Sequence, residues 1–137
     1  PQASEFMKQQ GELGVKMHYA ENPFGRRRIF APVNSREEEG SVRREAGNAI
    51  IQSTVADALM LAMCKFVNIR NRIGSKIRII NPIHDALMLL APDSEVETSK
   101  KMLEEVMGSI AIPTYDARPP FCLGVDITSF KRWGSKE

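Results

Sequence analysis

Apolar positions follow a helical repeat at Ile51, Val55, Ala58, Leu59, Ala62 and Phe66, which predicts a long helix from about Val42 to Asn68. Polar side chains four residues apart, Arg44, Asn48 and Gln52, lie upstream on the same helix, and that spacing keeps them on one face. With Arg44 as origin and a turn of about 100° per residue, Asn48 and Gln52 fall at about 40° and 80°. Val55, Leu59, Ala62 and Phe66 fall between about 0° and 60°. One side of a single helix is therefore polar in its first half and apolar in its second, as when a helix leaves a core and enters a wet groove.

The rest of the chain divides around that helix. Phe6, Leu13 and Met17 predict a short helix over residues 4–18, weakened by Gly11 and Gly14. Asn22-Pro23-Phe24-Gly25 reads as a turn before a brief strand that begins at Arg28 and ends at Pro32. Asn34 or Ser35 offers a cap to a helix led by Arg36 and Glu37-Glu38-Glu39, which Gly40 is expected to interrupt. Apolar runs on either side of His84-Asp85 predict a β-hairpin over Lys76–Ala91 with one carboxylate at its tip. Asp93 or Ser94 is placed to cap a helix reaching about Gly108, residues 113–120 read as a loop, and Phe121–Ile127 reads as a strand able to join the hairpin. Residues 131–137 read as a frayed tail. The fold class is α+β: a small antiparallel sheet, hairpin plus C-terminal strand, packed on long helices within one partial domain over residues 1–137. An open sheet edge would invite self-association.

Composition narrows the function classes. The 137 residues are 42% hydrophobic and 26% charged, ordinary for a globular protein. No apolar run approaches the roughly eighteen residues that span a bilayer, and no basic-then-apolar leader opens the sequence, so no membrane partner and a cytoplasmic location are expected. Cys64 and Cys122 are isolated and only two histidines are present, which gives no zinc motif and no disulfide framework; the cysteines are expected to be reduced packing residues. A net charge of +2 is too small to imply nucleic acid by itself. Distribution says more: Arg26-Arg27-Arg28 form one basic cluster, and Arg70, Arg72, Lys76 and Arg78 a second stretch without an acid.

Read in order, Glu21-Asn-Pro-Phe-Gly-Arg26-Arg27-Arg28, then Arg44-Glu-Ala-Gly-Asn48-Ala-Ile-Ile-Gln52-Ser-Thr-Val-Ala-Asp57, then Ile83-His84-Asp85, the chain resembles the C-terminal part of family A DNA polymerases, the bacterial DNA polymerase I group and its phage relatives. The resemblance covers roughly residues 5–127 and implies part of a polymerase palm. It assigns Asp85 to metal binding, one Mg²⁺ ligand of a two-metal site for nucleotidyl transfer. It makes His84, grouped with Asp85 at the catalytic tip, a support for the primer terminus and hairpin rather than a general base. Without the resemblance, Asp85 reads first as a turn aspartate, and His84 as readily as a satisfied structural histidine.

The resemblance further implies that Arg44, Asn48 and Gln52 contact primer-template DNA near the active site. An arginine can pair with phosphate, while Asn and Gln can reach minor-groove acceptors common to all base pairs. The alternative is that Asn48 and Gln52 satisfy buried backbone groups. Arg26, Arg27 and Arg28 are candidate phosphate contacts or else a solvated basic turn, and Asp57 is expected to hold structure rather than metal. Ala86 stands where the family usually has glutamate, and Pro82 where a strand residue with a polar side chain is usual. These departures point to a divergent, phage-encoded member. The family's second metal-binding aspartate and its nucleotide-gripping helix are expected in a region upstream of this one. Deoxynucleoside triphosphates are therefore expected partners of the parent protein, and the isolated chain is expected to be inactive. The rival expectation is a non-catalytic module that binds duplex nucleic acid.

Overall fold

The computed structural model describes residues 2–115 and 118–132. These form two compact units, the first of residues 2–57 with 112–115 and 118–119, the second of residues 58–111 with 120–132. Both are α+β, and each contains a two-stranded antiparallel sheet.

In the first unit, α1 (Gln2–Met17) is followed by β1 (Tyr19–Glu21) and β2 (Arg27–Ile29), which pair with Tyr19 opposite Ile29 and Glu21 opposite Arg27. β1 was not expected from the sequence. His18 adopts a left-handed φ of 58° that ends α1, and its carbonyl accepts a hydrogen bond from Phe30 N–H at 2.8 Å, which holds the hairpin against the helix end. Ala20, Phe30, Ala46 and Ile50 form the core, with Phe6 and Val42 against it. Gly11 and Gly14, which weakened the predicted helix, are buried contact points: a Cβ on Gly11 would lie 2.8 Å from the Arg43 carbonyl oxygen, and one on Gly14 would lie 2.6 Å from Ala46 Cβ. Their helix propensity is given up for close approach to α2. Tyr115 returns to this unit, its ring 6.1 Å from Phe6 and its hydroxyl donating to the Glu21 carbonyl at 2.6 Å.

α2 (Arg36–Ile73) runs through Gly40 without the expected interruption. Its start is well tied: Ser35 Oγ accepts from Glu38 N–H at 3.2 Å, Glu38 Oε2 accepts from Asn34 N–H at 2.7 Å, and Arg43 pairs with Glu39 at 2.6 Å across Gly40. The helix ends where Gly74 takes a φ of 65°, with Ser75 N–H on the Arg70 carbonyl (3.1 Å) and Gly74 N–H on the Asn71 carbonyl (3.3 Å), a Schellman closure. Contrary to the sequence expectation, α2 does contain an eighteen-residue window apolar enough, by length and composition alone, to cross a bilayer. Asp57 lies within this helix in an ion pair with Arg26, and Ala46, Ile50, Leu59, Ala62 and Phe66 are buried in protein, whereas Ile51, Met60 and Leu61 are exposed.

In the second unit, the rest of α2 buries Leu59, Ala62 and Phe66, and the unit also buries Ile77, Met102, Val106 and Ile110. β3 (Arg78–Ile83) and β4 (Ala86–Leu90) form the predicted hairpin, with a register shift between Ile79 and Asn81. Pro82 is accommodated opposite Leu87 in a two-stranded sheet, where an edge strand tolerates a missing N–H. α3 (Val96–Gly108) follows a single 3-10 turn at Asp93–Glu95. Neither Asp93 nor Ser94 caps it; Glu95 stands at that position and its carboxylate instead accepts from Ser75 Oγ and from Lys76 N–H (3.3 Å), tying the entry of β3 to the start of α3.

The expected third strand over Phe121–Ile127 is absent. Phe121 makes an isolated bridge and residues 122–130 run without a ladder, preceded by Pro119 and Pro120, which donate no N–H, and broken by Gly124, which has no side chain to pack. Cys64 and Cys122 are free thiols as expected, but exposed rather than packed. Of the expected frayed tail, residues 133–137 lie outside the described residues.

Candidate nucleic-acid interface

Asn22 organises the first unit's polar surface. Its side chain is buried at 2% exposure, and both ends of the amide are used. Oδ1 accepts from Phe24 N–H (3.0 Å) and Arg26 N–H (2.9 Å), closing the turn, while Nδ2 donates to Asp57 Oδ2 (2.7 Å) and Ser53 Oγ (3.1 Å) on α2. Gly25 supplies the φ of 87° that the turn needs. Arg26 then reaches Asp57 through Nε (2.9 Å) and Nη2 (2.5 Å) to the same oxygen. The hydrogen bond from Arg26 holds the Asp57 carboxyl below its usual range against the opposing effect of burial, with further help from Asn22. Asp57 is thus tied into the fold, whereas the sequence shows its partner Asn22 only as a turn residue. A signal was present: an Asn opening a turn that faces an Asp on the next helix has both a donor and an acceptor to place.

The other two arginines of the cluster also meet carboxylates. Arg27 donates to Glu21 across the β1–β2 pair, with its guanidinium 4.7 Å above the Tyr19 ring. Arg28 grips Glu45 on α2 through Nε (3.0 Å) and Nη2 (2.7 Å). That pair is exposed on both sides, and such pairs exchange partners at little cost.

Opposite the cluster stands the polar face of α2. Arg44, Asn48 and Gln52 are exposed and take no side-chain partner among the described residues, so Asn48 and Gln52 do not serve buried backbone groups. Together with Arg26, Arg27 and Arg28 they line one groove of ≈ 780 Å³ in which Glu45 is the single acid among the lining residues. The predicted switch in the character of the α2 face is present: Arg44, Asn48 and Gln52 are exposed, whereas Leu59, Ala62 and Phe66 are buried.

The model for DNA polymerase family A matches residues 1–135. The chain belongs to DNA polymerase family A. Within the family it is 33% identical over 111 residues to DNA polymerase I of Chloroflexus aurantiacus, covering 80% of this chain and 12% of that protein. It is 29% identical over 139 residues to DNA polymerase I of Rhizobium leguminosarum, covering 97% and 13%. This family A segment thus spans about an eighth of the length of these relatives. Its fold is similar to the POL domain of Pol1 from M. smegmatis, solved in complex with DNA primer-template and dNTP, with a TM-score of 0.74 and 24% identity over 86% of this chain and 20% of that one.

In the second unit of the family A segment, His84 and Asp85 form the two-residue turn between β3 and β4. His84 takes a left-handed φ of 54°, unfavourable for a side chain of its size and of the kind that persists where surrounding structure imposes it. Asp85 is exposed, with no side-chain partner among the described residues. No group of three His, Cys, Asp or Glu able to hold a metal occurs among the described residues. The Asp85 carboxylate is open to solvent, a hard oxygen donor of the kind Mg²⁺ accepts.

Proposed function

We propose that this chain is the part of a template-directed DNA polymerase that holds the primer-template duplex and contributes one carboxylate to the catalytic centre. The observation that carries the reading is the unpartnered set Arg44, Asn48 and Gln52 on an arginine-lined groove, in a chain of this family. Arg44 pairs with phosphate, and Asn48 and Gln52 donate to minor-groove acceptors, so the groove checks the width of the duplex without reading its sequence. Asp85 holds Mg²⁺, which when bound supplies charge stabilisation for nucleotidyl transfer. His84 sets the hairpin tip and supports the primer terminus.

One carboxylate does not organise two metals, so this chain alone does not extend primers, and deoxynucleoside triphosphates bind only the longer parent protein. The test is Mg²⁺-dependent primer extension by the chain joined to its upstream coding region, beside the same protein carrying Asp85→Asn. Extension abolished by Asp85→Asn supports the reading. Undiminished extension sinks the metal role.

A second reading is favoured by Ala86 beside Asp85, at a tip with no group of three metal-ligating side chains among the described residues: a module that binds duplex and has lost catalysis. It predicts duplex binding indifferent to Mg²⁺ and no extension even when the upstream region is supplied. The unpaired outer edges of the β3–β4 hairpin would let isolated chains self-associate by strand addition.

A further inference from the structure

The two walls of the arginine-lined groove, the turn with β2 on one side and α2 on the other, are joined by two kinds of link. Arg28 to Glu45 is an exposed ion pair that a phosphate can replace. Asn22 to Asp57 and Ser53 is a buried hydrogen-bonded link, and it has no solvent-facing substitute. Arg26 lines the groove, yet its guanidinium is turned onto Asp57. The three arginines of the cluster are therefore not equivalent.

We propose that Asn22 and Asp57 are positioning residues for duplex binding, which touch no nucleic acid but fix the Arg26–Arg28 wall at the distance from Arg44 at which Arg28 exchanges Glu45 for a backbone phosphate. This rests on the reading of the groove as the duplex site and deepens it. The buried amide sets the turn and the turn sets β2; Arg26 completes the lock, and Arg28 does the binding. Arg26 then contributes alignment and Arg28 contributes charge.

The test is fluorescence anisotropy of a labelled primer-template duplex titrated with the 137-residue chain over a range of salt concentrations, with thermal unfolding of each sample. Each phosphate contact adds about 0.9 to the slope of log affinity against log salt, a quantity that a reduced folded fraction leaves unchanged. Arg28→Ala lowers the slope by about one. Asn22→Asp, which sets two carboxylates against each other, weakens binding by about tenfold and also lowers the slope by about one. Adding Arg28→Ala to Asn22→Asp changes the slope no further. If Asn22→Asp does not fold, Asp57→Asn alone gives the same reading, since it weakens the hold on Arg26 while keeping the side chain's size.

Slopes unchanged in the single variants, or an Arg28→Ala effect equal with and without the lock, overturn the proposal while leaving the groove as the duplex site. Failure of the unaltered chain to bind duplex overturns both.

Discussion

Asn48 and Phe66 stand at the same azimuth of α2, about 40° from Arg44. Asn48 is exposed with no side-chain partner, and Phe66 is fully buried. In its first half the helix buries a different side, that of Ala46 and Ile50, against α1 and the β1–β2 hairpin, and this frees the Arg44 face for the groove. In its second half the Arg44 face itself enters a core through Leu59, Ala62 and Phe66. One helical face thus does two jobs, and Asp57, near the changeover, is fixed by Arg26 and Asn22. The comparison teaches that the polar stripe is not surplus surface on a core helix. It is a face withheld from packing over a limited length.

The comparison can be broken most forcefully at its buried end. Phe66→Ala is expected to cost about 3–5 kcal/mol, read as a lower denaturant midpoint, because it removes a fully buried aromatic side chain. A loss no larger than that of a surface substitution would deny the second half of α2 its core role. Gly11→Ala should cost about 1–3 kcal/mol, since its Cβ would meet the Arg43 backbone, which cannot turn aside as a side chain can. Asn22→Ala takes the buried donor from Asp57 and the acceptor from the Phe24 and Arg26 N–H groups, at about 1–3 kcal/mol for a buried group left short of its partner.

The Asp57 carboxyl sharpens the same contrast through pH. Its folded pKa lies below the ordinary 3.8, so the unfolded chain binds a proton more readily. The stability it contributes is fully present above the unfolded value and is lost as pH falls through the folded one. Denaturant midpoints measured downward from pH 7 should therefore fall less steeply below about pH 4 in Asp57→Asn than in the unaltered chain. Smallest of all in stability is Asn48→Ala, expected within about 0.5 kcal/mol of the unaltered chain in the same assay.

Much of this organisation was legible in the sequence. The long helix and the change in character of its face follow from periodicity, and the His84-Asp85 tip from the apolar runs around it; the structure contains all three, with the helix running past its expected ends to Arg36 and Ile73. What was not legible depended on contacts between segments distant in sequence. Gly11 and Gly14 lower helix propensity locally, and only α2 lying alongside reveals them as points of close approach. Gly40 reads as a break until the Arg43–Glu39 pair and the Ser35 cap are seen around it. β1 is too short to show an alternation, and Asn22 reads as a turn residue because its partners lie 31 and 35 residues away. The Phe121–Ile127 stretch has a strand's composition, but a strand also needs a partner edge, and composition does not supply one.

The central claim, that the withheld half of the α2 face is where nucleic acid lies, is tested most directly by replacing Arg44, Asn48 and Gln52 together with alanine. Duplex binding and thermal unfolding would be measured on the same protein. The account predicts an affinity loss of at least about tenfold with a melting temperature within a few degrees of the unaltered chain. Unchanged affinity, or a collapse in melting temperature that shows these side chains to be structural, would contradict it.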